Sequence, residues 1–184
     1  MDGTVVVWDP VTMESCSQLQ LQQCCYLSAI SMHQCNLWCC ADQSLVMLSW
    51  DGQQLQKVTH GLTPDGGSVP WSHFLILPQR DEVWVLSSPR CSLYVWSMRC
   101  LSEPVGVMSL PSSGHCMVHV KEQVWVGGAA PDGGGRIQVV SAADRSLVKE
   151  LEASGGPVTA LCCAHDRYML SASATGQASI WSVD

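Results

Sequence analysis

Short runs of Val, Leu, Ile, Met and Trp recur along the chain, each broken off by Gly, Asp, Pro or Ser. The runs that close each recurrence are Gly3–Asp9, Gln43–Leu48, Cys91–Trp96, Gly135–Val140 and Gly176–Trp181. Aligned on Trp8, Leu48, Trp96, Val140 and Trp181, they stand 40, 48, 44 and 41 residues apart. A repeat of this length marks an array of supersecondary units rather than one globular core. Turn-forming residues divide the units into short strands, here called a to d in chain order. The second unit predicts strands at Tyr26–His33, Asn36–Ala41, Ser44–Trp50 and Leu55–Thr59. The third predicts Ser72–Leu77, Glu82–Leu86, Ser92–Ser97 and Val105–Leu110, and the fourth Cys116–Val120, Gln123–Val126, Arg136–Ser141 and Leu147–Glu152. The fifth supplies Val158–Ala164, Tyr168–Ala172 and Ala178–Trp181, and the first only Thr4–Trp8 and Ser17–Gln22.

Four short strands per unit is the layout of a β-propeller blade. Runs such as Val5-Val6-Val7-Trp8 and Val83-Trp84-Val85-Leu86 are apolar at every position, which suits strands covered on both faces, and radial stacking of sheets provides that cover. The fold class expected is therefore all-β, a partial β-propeller of four-stranded antiparallel blades, about four to five of them. The blades are expected at 1–22 (half), 26–60, 71–110, 115–152 and 157–184 (incomplete), forming one segment over 1–184. The count falls short of a closed ring. The remaining blades are expected upstream of Met1, as parts of the same parent protein, with Met1 a truncated or alternative start.

Asp2-Gly3-Thr4-Val5-Val6-Val7-Trp8-Asp9 resembles the end of a WD40 repeat, and Gly155–Leu161 followed by Leu170–Ser173 and Ile180-Trp181 resembles almost an entire one. In that family a His before strand a, a Ser or Thr in strand b, an Asp in the b–c turn and a Trp in strand c form a hydrogen-bonded group. The resemblance places Ser171 and Trp181 in that group, with Gly156 near the expected His and Thr175 near the expected Asp. Asp42 and Asp132 match as turn aspartates and His115 as the His ahead of its blade. No unit holds all four residues.

Composition narrows function by exclusion. The net charge is −7 with nine Lys plus Arg, and these do not cluster, so the basic footprint of a nucleic-acid binder is missing and charge-driven membrane binding is not expected. No apolar stretch approaches the ~18 residues of a membrane span, so no direct membrane insertion is expected, and no signal-peptide pattern opens the chain. A cytoplasmic location is expected. Eleven cysteines, some in adjacent pairs such as Cys39-Cys40 and Cys162-Cys163, read as small buried hydrophobes, because neighbours in a strand point to opposite faces and no Cys-x-x-Cys occurs.

No nucleophile elbow, phosphate-binding loop or His-Glu-x-x-His motif is present, and Gly133-Gly134-Gly135 reads as a b–c turn rather than a nucleotide cradle. His115 and His119 share one strand face about 13 Å apart, too far for one metal ion. The chain is expected to be no enzyme and to need no cofactor or metal. The remaining feature is loop surface. By topology the d–a loop Gly61–Trp71 and the b–c loops Ser87–Cys91 and Gly127–Gly135 fall on one rim, so Asp65, Trp71, Arg90, Asp132 and Arg136 are candidates for a mixed partner-binding patch; Trp and Arg are enriched at interface hot spots. Alternatively, Trp71 packs at a blade edge and the rest are solvated turns.

The reading is thus a protein-interaction scaffold that docks a protein partner or peptide on its loop rim, the alternative being an enzyme or metal-dependent propeller that uses the rim or its cysteines. Stretches such as Leu37-Trp38-Cys39-Cys40 and Val124-Trp125-Val126-Gly127-Gly128 also resemble the C-terminal propeller of DENN-domain exchange factors for Rab GTPases. That resemblance implies a guanine-nucleotide exchange factor in membrane traffic whose exchange chemistry lies in another domain.

Overall fold

The computed structural model describes residues 3–21, 26–42, 44–49, 54–59, 71–88 and 90–183, with backbone alone over 54–59. It divides into two compact units, residues 1–71 and 72–184. In the first, β1 (Thr4–Trp8) and β2 (Ser15–Gln20) form a two-stranded antiparallel sheet. A four-stranded meander follows: β3 (Leu27–His33), β4 (Asn36–Ala41), β5 (Ser44–Leu48) and β6 (Gln54–Thr59).

The second unit holds two four-stranded meanders and a three-stranded sheet. They are β7 (His73–Leu77), β8 (Glu82–Ser87), β9 (Ser92–Ser97), β10 (Gly106–Ser109); then β11 (Ser113–Val120), β12 (Gln123–Ala129), β13 (Gly135–Ser141), β14 (Leu147–Ala153); and last β15 (Val158–Ala164), β16 (Tyr168–Ser173), β17 (Ala178–Ser182). The a-b-c-d order of the sequence repeats is the order of pairing in every four-stranded sheet.

Burial follows strand position. Every residue of β8 is buried, as are all but the first of β4 and the five central residues of β12. These are the central strands, flanked by partners on both edges and by neighbouring side chains on both faces, and their uninterrupted apolar runs suit that place. Strand d lies at the outside and is polar: β14 carries Lys149, Glu150 and Glu152 and is exposed over most of its length. Charge on an edge strand also discourages further pairing.

Apolar layers join the sheets of each unit. In the second, Trp84, Leu86, Leu93 and Val95 meet Met117, Val124, Val126 and Val140 in one cluster. In the next, Trp125, Ile137 and Val139 meet Val158, Met169 and Val183. In the first unit Val5 and Leu21 join Leu37, Cys39, Val46 and Leu48. Sheet spacing is set partly by absent side chains: a Cβ on Gly114 would crowd Leu86 of the preceding sheet, and one on Gly127 would crowd Val158 of the following sheet.

One expectation needs correction. His115 does not precede its blade but lies within β11, exposed, because the strand is prolonged by pairing Ser113 with Ala129 and Gly114 with Gly128 across a bulge. The bulge leaves His115 outside the paired register, so it is not set up to cap the blade.

Candidate functional site

The loop rim of the second unit is built on strand β13. Gln138 is completely buried there, and its amide clasps the β10–β11 connection: Nε2 donates to the Ser112 carbonyl at 3.1 Å and Oε1 accepts the Ser112 N–H at 3.3 Å. The Ser112 hydroxyl in turn donates to Glu150 at 3.4 Å. A buried amide whose donor and acceptor both meet backbone locks a loop that would otherwise be free to move.

Two residues along, Arg136 donates to Glu152 at 2.7 Å across the β13–β14 pair. That hydrogen bond raises the Arg136 pKa above its ordinary value; partial desolvation opposes it, and the charges of Glu152, Glu150 and Asp132 add to it. Asp132 stands in the preceding turn, where its carboxylate accepts the Gly134 N–H at 3.0 Å and Gly133, at φ 85, takes the left-handed conformation the turn requires. Asp132 and Arg136 are therefore electrostatic neighbours, with the local charge tipped negative by Glu150 and Glu152.

Arg90 lies in the β8–β9 turn, where its carbonyl accepts the Ser92 hydroxyl at 2.9 Å. Trp71 belongs to the first unit and is 2% exposed. Its N–H donates to the Asp42 carbonyl at 3.1 Å and its carbonyl accepts the Ser28 hydroxyl at 2.9 Å, so its backbone is tied to the first unit, and its side chain is not presented at the surface. Asp65 lies outside the described residues.

The a–b and c–d turns of the second unit carry a denser polar network, which the motif search missed. Glu82, at the start of β8, accepts Trp84 Nε1–H at 2.9 Å and Arg145 Nη2 at 2.8 Å, with Arg80 Nε at 3.6 Å. Arg145 comes from the β13–β14 turn and also donates to the Val105 carbonyl at 2.8 Å, and Arg80 reaches Glu122 at 3.4 Å and the Ala143 carbonyl at 3.3 Å. Burial pushes the Glu82 pKa up, but the bonds from Arg145 and Trp84 and the charges of Arg145 and Arg80 outweigh it and leave the carboxyl below its ordinary value. A cavity of about 310 Å³ opens beside this network, lined by Gln79, Arg80, His119, Lys121, Glu122 and Asp166. Of its charged lining residues, Arg80 and Glu122 pair with each other at 3.4 Å, and Lys121 is tied to the Val183 carbonyl at 3.1 Å.

In the last sheet Trp181 Nε1–H donates to the Ser171 hydroxyl at 2.9 Å, the pair that the WD40 resemblance implied. Hydroxyls stand in for the other members: Thr175 Oγ1 accepts the Gly156 N–H at 3.3 Å and lies 2.9 Å from Ser173 Oγ. Among the described residues no group of three or more His, Cys, Asp or Glu side chains is placed to hold a metal ion. Cys116 is a poor thiolate, since burial pushes its pKa up to about 11 against a smaller lowering by the backbone at Gly127. No helix among the described residues is long and apolar enough to cross a membrane.

No family model matches the chain. It is 34% identical over 191 residues to DENN domain-containing protein 3 of the mouse, an alignment that spans 100% of this chain and 14% of that protein. Among solved structures it is similar to a chain of the mitotic checkpoint complex, with a TM-score of 0.79 at 16% identity over 100% of this chain and 57% of that one. It is also similar to the computationally designed Ika8 protein, with a TM-score of 0.71 at 20% identity over 99% of this chain and 53% of that one. Likeness at this level of identity speaks to fold, and the fold is an all-β, WD40-like partial propeller of four-stranded antiparallel blades.

Proposed function

We propose that this chain is a protein-interaction module without chemistry of its own, a regulatory propeller segment acting within a Rab guanine-nucleotide exchange factor in the cytoplasm. The observation that carries the reading is the match to DENN domain-containing protein 3 along the whole of this chain. The partner is a protein segment that docks on the loop rim of the second unit, with Arg90, Asp132 and Arg136 as contacts; the remaining blades come from the same parent protein. Two features support the rim. The Gln138–Ser112 clasp pre-organises its loops, which lowers the entropy cost of docking, and the Asp132–Arg136–Glu152 group offers directional charged contacts.

The test is proximity labelling in cells with the chain fused to a labelling enzyme, wild type against the double variant Asp132→Lys, Arg136→Glu. Both positions are at the surface of turns or strand ends, so the variant is expected to fold, as circular dichroism would check. The reading expects a defined set of labelled proteins, including Rab regulators, to disappear in the variant. An unchanged set would overturn it.

A further inference from the structure

The polar cavity between the a–b turns has cations on its wall that the protein's own acceptors do not satisfy. Gln79 and Arg80 come to it from the β7–β8 turn, His119, Lys121 and Glu122 from the end of β11 and the turn after it, and Asp166 from the β15–β16 turn. All six lie in the second unit, at the opposite end of its sheets from the loop rim.

Arg80 is the under-bonded member. Charge-assisted N–H···O bonds ordinarily close to about 2.7–2.9 Å. Arg145 reaches that distance on Glu82, at 2.8 Å, and Trp84 takes the other Glu82 oxygen at 2.9 Å. Arg80 is left with longer contacts, 3.3 Å to the Ala143 carbonyl, 3.4 Å to Glu122 and 3.6 Å to Glu82, and its Nε is buried with no hydrogen-bond partner. Its side chain is only 30% exposed, so water makes up only part of the shortfall. Lys121 adds a second cation. One of its N–H groups is on the Val183 carbonyl at 3.1 Å, and the other two have no protein partner among the described residues.

The carboxylates of the cavity lack nothing by comparison. The Glu122 side chain is 77% exposed, and Asp166 is an exposed turn residue whose carboxylate accepts the Cys163 thiol at 3.7 Å, so water serves both. An exposed pair such as Arg80–Glu122 is weak and gives way to a better-placed anion. The cavity therefore selects a negative ligand. Its volume of about 310 Å³ is more than a lone ion fills and lies at the small end of ligand pockets, the scale of one side chain with its flanking backbone. With Glu122 and Asp166 alongside, the single charge of a carboxylate is repelled less than the near-double charge of a phosphate.

We propose that this cavity binds the carboxylate of an Asp or Glu side chain in a segment of a partner protein, with Arg80 and Lys121 as donors and Glu122 displaced into solvent. The site is independent of the rim and of any exchange-factor role.

An NMR titration of the isotope-labelled chain with the peptide acetyl-Gly-Glu-Gly-amide tests it, beside the same peptide with glutamine or phosphoserine at its centre and inorganic phosphate alone. The glutamate peptide is expected to give saturable shifts of the Lys121 and Glu122 amides and of the Arg80 side-chain N–H. Lys121→Gln should weaken its binding about tenfold. Glu122→Gln removes the internal competitor for Arg80 and should tighten binding about threefold, a change of sign that loss of packing would not produce. Both are exposed turn positions, so each variant should keep its circular dichroism spectrum; Arg80→Lys, which loses the guanidinium fork, repeats the weakening arm if Lys121→Gln does not. The proposal is overturned by a glutamate peptide that leaves these signals unmoved into the millimolar range, or by a glutamine peptide that binds as well. Tighter binding of phosphoserine peptide or inorganic phosphate, or a Glu122→Gln variant that fails to tighten, overturns it equally.

Discussion

Three strands place an indole two residues after an Asn, Glu or Gln, and the two units use it differently. In the second unit Trp84 and Trp125 donate to Glu82 at 2.9 Å and Gln123 at 3.0 Å. In the first, Trp38 follows Asn36, whose amide faces the Met47 sulfur at 3.7 Å, and the Trp38 Nε1–H is buried with no partner. Residues i and i+2 share a strand face about 7 Å apart along the backbone. A Glu or Gln side chain bridges that gap to the indole, and Asn is one methylene too short. The comparison separates two things a Trp contributes: the area it buries, common to all three, and the satisfied N–H, which depends on the length of a neighbour.

The largest expected effect removes the shared part. Trp84→Ala should cost about 3–5 kcal/mol, as deletion of a fully buried aromatic does, read as a fall in the urea midpoint of the transition followed by fluorescence of the remaining tryptophans. A cost under about 1 kcal/mol would mean the inner layer of the second unit collapses around the gap. Next comes the acceptor. Glu82→Ala strips the partner from both the Trp84 indole and Arg145, and should cost about 3 kcal/mol, since it leaves a half-buried guanidinium without its carboxylate. Gln123→Ala orphans only a neutral donor and should cost about 1 kcal/mol. Equal losses at the two positions would show that Arg145 gains nothing from Glu82.

The opposite sign is expected in the first unit. Asn36→Gln adds the missing methylene and should stabilise by about 1 kcal/mol through a new bond to Trp38 Nε1, with a rise in urea midpoint and a slower exchange of the indole proton by NMR. The smallest effect is the pH dependence that distinguishes Glu82 from Gln123. The folded pKa of Glu82 lies below its ordinary value of 4.5, so its contribution is present above that pH and is lost as pH falls through the folded value. The urea midpoint of wild type should therefore drop more on acidification below that point than that of Glu82→Gln; parallel curves would remove Glu82 from the acid response.

The blade pattern was legible because it rests on local chemistry. A run such as Val83-Trp84-Val85-Leu86 has no polar face to offer water and so reads as a strand covered on both sides, which it is. The Ser171–Trp181 bond was legible too, through the family resemblance. The Glu-x-Trp and Gln-x-Trp pairs stand at a fixed place in successive repeats, but in strand b, whereas the WD40 pattern marks the Trp of strand c. The rim residues were placed by topology alone, and the structure tells them apart: Asp132 and Arg136 influence each other electrostatically, while Trp71 is buried. No local rule predicts that, because a Trp after a loop reads equally as an anchor or as packing.

The sequence by itself determined the period, the four-strand order and the division between apolar inner strands and a polar outer one, since each follows from the alternation and turn chemistry of neighbouring residues. Tertiary structure alone decided that Arg145 reaches Glu82 across 63 positions and that Gln138 closes on Ser112. Strand periodicity repeats every two residues and is written into the chain. A contact between sheets depends on how far apart their backbones settle, and a single Cβ, as at Gly114 or Gly127, is enough to alter it.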